Sequence, residues 1–153
     1  MQYYFHITAN HSWEDEKLLT PRSFGENRDM QYEPKDARIC VCPSIVGCIV
    51  ALSCTLPMEA NRCVFRTKYK VEAIKPYNVL DAYITGEHWI VEPTTFIRYG
   101  NVNLNKLPVI KENGFDRPIQ FICGGSGDKG DEDFQRRYMK IFRDSYDEWF
   151  SKV

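Results

Sequence analysis

Arg62-Cys63-Val64-Phe65-Arg66-Thr67-Lys68-Tyr69-Lys70-Val71-Glu72 decides the fold class, because its side chains alternate with a period of two. Cys63, Phe65, Thr67, Tyr69 and Val71 share one face, while Arg62, Val64, Arg66, Lys68, Lys70 and Glu72 share the other. That is the pattern of a strand with one face on a core and one toward solvent. Outward from it, residues 2–8, 38–42, 88–92, 95–102, 107–111 and 118–123 read as further strands, separated by Pro, Gly and Asn. The apolar run after Pro43-Ser44 reads as a buried helix over residues 45–53 with Ser44 as its N-cap. Residues 131–150 place Phe134, Tyr138, Ile141, Phe142, Trp149 and Phe150 near one face at helical spacing, with acids in the first turn.

Seven strands with one buried helix and one C-terminal amphipathic helix predict an α+β fold with a predominantly β core. The strands do not alternate regularly with helices, which disfavours a doubly wound parallel sheet, and no Rossmann or Walker fingerprint occurs. No repeat or long linker divides residues 1–153, so a single domain is expected. The polar stretch 11–36, broken by Pro21, Gly25 and Pro34, reads as a long recognition loop.

The 153 residues carry 20 Lys plus Arg against 21 Asp plus Glu, a net charge of −1. Bulk attraction to nucleic acid or an anionic membrane is thereby excluded, and any such contact must come from a local patch. The 9 Tyr, 9 Phe and 3 Trp make an aromatic-rich domain, suited to a β core, a stacking site or both. The first residues lack a basic and apolar leader pattern, so a cytoplasmic location is expected. Cys40, Cys42, Cys48, Cys54, Cys63 and Cys123 contain no CxxC pair and sit in apolar runs, which favours buried reduced thiols over disulfides or zinc. The uncharged run 39–58 is long enough to cross a membrane, but Pro43-Ser44, Ser53 and Thr55 argue for a buried strand and helix instead.

Four segments carry chemistry worth weighing. In Phe5-His6-Ile7-Thr8, His6 and Thr8 point to one face of a strand. A histidine in an apolar strand needs specific partners, and the plainer reading is a structural one bonded to backbone carbonyls. Glu87 follows Gly86 at the start of an aromatic, β-branched strand, where a rigid element holds a carboxylate able to reach a cleft; the plainer reading is a solvated strand end. The glycine-rich run 123–130 reads as a connector, because Asp128, Asp131, Glu132 and Asp133 repel phosphate. Asp128, Asp131 and Asp133 lack the glycine and distant glutamate of a calcium loop, and no other metal site is expected. Arg62, Arg66, Lys68 and Lys70 read first as a solvated strand face, and second as cations able to follow a phosphate backbone.

Tyr4-Phe5-His6-Ile7-Thr8 and Glu87-His88-Trp89-Ile90-Val91, taken together, resemble the ADP-ribosyltransferase superfamily, in particular its small prokaryotic and phage members. The strand-then-helix segment between them, residues 38–53, fits the family's order. The resemblance covers about a dozen residues. It implies split, twisted β sheets with NAD, as substrate, in the cleft between them. It gives His6 the role of holding ribose and nicotinamide, with Thr8 beside it, and Glu87 that of the catalytic carboxylate. Arg22 is implied at the pyrophosphate, and Ser44 near the ligand. The family's stacking tyrosine has no counterpart in residues 38–52, so Tyr32, Phe24 or Tyr83 would supply that ring. The expected function is mono-ADP-ribosyl transfer to an unknown protein or nucleic-acid acceptor. The alternative is a non-catalytic module, of a kind that phages encode, that binds a nucleotide or blocks a host protein.

Overall fold

The computed structural model describes residues 1–23, 36–52, 61–77, 79–117, 119 and 129–153. Along the chain run β1 (Phe5–Thr8), β2 (Glu16–Leu19), β3 (Ile39–Val41), α1 (Ile45–Ala51), β4 (Asn61–Thr67), α2 (Ala82–Thr85), β5 (His88–Ile90) and β6 (Thr94–Asn103). There follow β7 (Ile110–Glu112), β8 (Phe115–Arg117), α3 (Lys129–Asp144), α4 (Tyr146–Trp149) and β9 (Phe150–Lys152). The protein is α+β, with more strand than helix among the described residues. Phe24, Tyr32, Cys54, Cys123 and most of the predicted strand 118–123 lie outside them, as does the glycine-rich run up to Asp128.

The main sheet is antiparallel in the order β1-β4-β6-β2, with β9 also on β6. A separate β3–β5 pair lies beside β1, joined to it by the Phe5–Cys42 bridge. A β7–β8 hairpin stands apart and is tied to α3 through the Tyr138 hydroxyl, which accepts from Ile110 N at 3.1 Å and donates to Arg117 O.

The central strand β4 differs from the sequence expectation in length and in sidedness. It ends at Thr67, after which Val71 rejoins the chain start by a two-bond bridge to Gln2. Arg62 and Val64 are only 3% and 0% exposed, so the face read as solvated is half core. The reason is that β4 is paired on both edges and covered on both faces. Val64 packs with α1 and α3 residues, while Cys63 and Phe65 pack with Ile39, Val41 and Ile90 of β3 and β5.

The helix with Ser44 as its cap forms as expected, with Ser44 Oγ accepting from Gly47 N at 3.0 Å. Its core face meets Phe134, Tyr138 and Phe142, which recur every four residues along α3. Residues 131–150 do not form one helix. Ser145 Oγ donates to Ile141 O at 2.8 Å, the helix breaks there, and Phe150 begins β9 on β6. Two hydrogen bonds of the Trp149 indole N–H, to Phe142 O (3.1 Å) and Ser145 Oγ (3.2 Å), hold that corner. The 11–36 stretch likewise contains an edge strand, β2, paired with Thr94–Ile97 of β6. No described helix is long and apolar enough to cross a membrane.

Candidate functional site

Period-two geometry puts His6 and Thr8 on the face of β1 turned toward β3, and both line a cleft of about 560 Å³. His6 Nδ1 donates to Cys40 O of β3 at 3.0 Å, so the plainer structural role is real and coexists with a place in the cleft. Because the carbonyl only accepts, the neutral ring keeps its proton on Nδ1 and presents Nε2 as an acceptor. Burial pushes the His6 pKa below its ordinary value, and the Arg22 charge acts the same way, against the Cys40 bond.

That depression predicts a pH dependence of stability. Above the ordinary histidine value of about 6.5, both folded and unfolded states hold neutral His6 and the group contributes nothing. As pH falls below it, the unfolded chain takes the proton first, so stability drops until the folded pKa is passed and then levels off. Urea titrations between pH 7.5 and 4.5 should show this loss, and His6→Gln should remove that component.

Beyond Thr8 the chain turns sharply. Asn10 N donates to Thr8 Oγ1 at 3.0 Å and Ser12 N to Asn10 Oδ1 at 3.0 Å, an Asx-type reversal. It lays the Trp13 ring parallel to His6, with centroids 6.0 Å apart and planes 6° from each other, and edge-on to Phe65. Lys17 Nζ stands 5.7 Å from the same indole. Arg22 is brought to the cleft by a two-bond bridge with Arg38 (Arg22 N to Arg38 O 3.3 Å, the reverse 3.1 Å).

Glu87 lines the same cleft. Gly86 ends α2 with φ 78°, a left-handed conformation that glycine adopts without a Cβ penalty. The Glu87 N–H then donates to Thr85 Oγ1 at 3.2 Å. Its carboxylate faces Cys40. Burial first, and the Glu87 charge second, push the Cys40 thiol up to about 12, while the Arg38 guanidinium opposes them. Arg38 is itself buried, with its guanidinium 4.2 Å from the Trp89 ring centroid.

No family model, curated protein or solved structure matches this chain.

Of the residues singled out from sequence, His6, Thr8, Arg22 and Glu87 line the one cleft. Ser44 is outside its lining and is spent on the α1 cap. Ser44→Ala should therefore cost about 1 kcal/mol of stability in chemical denaturation and leave ligand affinity in the cleft unchanged. Tyr32 lies outside the described residues. Tyr83 is 64% exposed on α2, beside Arg136, and does not line the cleft. Among the described residues the cleft holds the Trp13 ring, which lies inside the polar stretch 11–36 that reads as a loop. The signal was there in Asn10-His11-Ser12-Trp13, a turn-forming run directly after a strand. Cys42 and Cys48 also line the cleft as thiols, and Cys42 is pushed well above its ordinary range by a hydrogen bond with Cys48 and by burial.

Proposed function

We propose that this cleft binds NAD and that the protein is an ADP-ribosyltransferase-like enzyme built on split sheets. The observation that carries this reading is the convergence of His6, Thr8, Arg22 and Glu87, chosen from two short segments and one loop, on a single cleft. Trp13 supplies the aromatic surface that residues 38–52 lack. The division between the main sheet and the β3–β5 pair, with the cleft at their junction, agrees with the same architecture.

In this scheme the nicotinamide ring lies against Trp13, and neutral His6 accepts a hydrogen bond from ribose or amide. Arg22 and Lys17 are the cations on the phosphate side, where the planar fork of Arg22 suits a diphosphate. Glu87 sits by the ribose. As the C1′–N bond breaks, the electron pair leaves with nicotinamide and positive charge grows on the ribosyl carbon. A fixed carboxylate beside that carbon stabilises the transition state more than the ground state. The ADP-ribosyl group then passes to an acceptor nucleophile, or to water.

The test is purified protein with NAD, following nicotinamide release alongside calorimetry. Turnover supports the enzyme; binding without turnover supports the non-catalytic nucleotide module; absence of binding removes NAD from the account. Trp13→Ala should weaken NAD binding by about 0.5–1.5 kcal/mol, or roughly two- to tenfold in Kd, if the ring stacks as proposed.

A further inference from the structure

Arg66 leaves the cleft side of the sheet altogether. In register, His6 pairs with Phe65 and Phe5 with Arg66, so Phe5 and Arg66 share the face opposite His6. On that face, cations and rings alternate. The Arg66 guanidinium stands 4.0 Å from the Tyr3 centroid and 5.7 Å from that of Tyr99. Lys70 stands 5.8 Å from Tyr3 and Lys152 5.2 Å from Tyr99. The row therefore reads Lys70, Tyr3, Arg66, Tyr99, Lys152.

Tyr99 reaches this row through an irregularity in the sheet. Val64 pairs with Gly100 but Phe65 with Arg98, so Tyr99 is the extra residue of a β-bulge. Such an insertion re-aims a side chain and interrupts regular pairing. Arg66, Tyr99 and Lys152 thus lie across β4, β6 and β9, about 10 Å at the usual strand spacing, with Tyr3 just before β1 and Lys70 just after β4.

The charge of this row is unbalanced locally. Among the described residues no carboxylate forms an ion pair with Arg66, Lys70 or Lys152, whereas neighbouring Lys68 and Arg98 are paired with Glu16 and Asp15. Tyr3 and the two lysines are exposed. Tyr99 is half-buried, edge-on to Phe5 and stacked on Phe150, so it anchors the row while Tyr3 is its exposed ring.

We propose that this face binds a single-stranded nucleic acid, with phosphates on Lys70, Arg66 and Lys152 and a base stacking on the exposed Tyr3 ring. Alternating cations and rings are what an extended strand of phosphates and bases requires, and stacking tolerates any base sequence. The footprint is a few nucleotides. This inference does not rest on the NAD reading, because none of Tyr3, Arg66, Lys70, Tyr99 and Lys152 lines the cleft and the readout contains no NAD.

The experiment is fluorescence anisotropy with a labelled mixed-sequence 12-nucleotide RNA and the matching DNA, over a series of salt concentrations. Binding should weaken with salt with a log–log slope of about −2, the value for three cations on a single strand. Arg66→Glu, and separately the exposed pair Lys70→Glu with Lys152→Glu, should each lower affinity by about tenfold or more and flatten the slope. Lys111→Glu, on the distant β7–β8 hairpin, should change it less than about twofold. The double variant keeps the test decisive if the Arg66 variant fails to fold by circular dichroism. Absence of binding at low salt overturns the proposal, as does equal loss in Lys111→Glu. Displacement of the oligonucleotide by phosphatidylserine vesicles at equal phosphate concentration also overturns it, in favour of a membrane surface.

Discussion

Glu87→Ala is expected to lower the rate of nicotinamide release from NAD by about 10²–10³-fold, the range for removing one preorganised electrostatic group from an active site. The dissociation constant for NAD should change far less, because the carboxylate opposes charge that exists only as the glycosidic bond breaks. Glu87→Gln keeps the shape and should lose nearly as much rate, which separates charge from packing. A second signature is independent of turnover. The Glu87 charge is among the influences that raise the Cys40 thiol to about 12, so its removal should lower that pKa and speed alkylation of Cys40 at alkaline pH. Unchanged nicotinamide release in Glu87→Ala rejects the assigned mechanism.

The next largest effect is expected at a residue that touches no ligand. Gly47 lies in α1 where α2 passes over it, and a Cβ there would stand 2.1 Å from the backbone oxygen of Thr85. Alanine favours an isolated helix over glycine by about 1 kcal/mol. Here the contact decides the sign, because the clashing atom is backbone and no rotamer relieves it. Gly47→Ala should destabilise the protein by about 1–3 kcal/mol net, read as a lower urea midpoint at constant m-value. It should also reduce kcat of any NAD cleavage, since Thr85 Oγ1 holds the Glu87 N–H and must move with its own backbone. A variant as stable and as active as wild type would show that the α1–α2 contact does not position Glu87.

Local patterning in the sequence carried the strands that matter for these effects, and it failed where position in the sheet overrides pattern. β4 was legible because its alternation is clean, yet its two-sided burial was not, since that depends on α1, α3 and β3–β5 arriving from elsewhere in the chain. β2 was missed because Glu16-Lys17-Leu18-Leu19 does not alternate in polarity; its pairing with β6 holds it. β9 was hidden behind aromatic spacing that extends the helical pattern of α3 through Phe150, and the open edge of β6 captured those last residues instead.

The site divides the same way. His6 and Thr8 were legible from a polar pair on one face of an apolar strand, and Glu87 from a glycine at a strand start. Trp13 and Arg38 were not. Trp13 reaches the cleft through a side-chain-bonded turn at Asn10, and Arg38 is buried beneath Trp89, neither of which periodicity encodes.

NAD binding in the cleft is tested most directly by the structure of the protein with NAD bound. The nicotinamide ring is expected against Trp13, a ribose hydroxyl within hydrogen-bond distance of Glu87, and the diphosphate beside Arg22. A cleft that stays empty at saturating NAD, or NAD bound with Glu87 and Trp13 untouched, would contradict that placement.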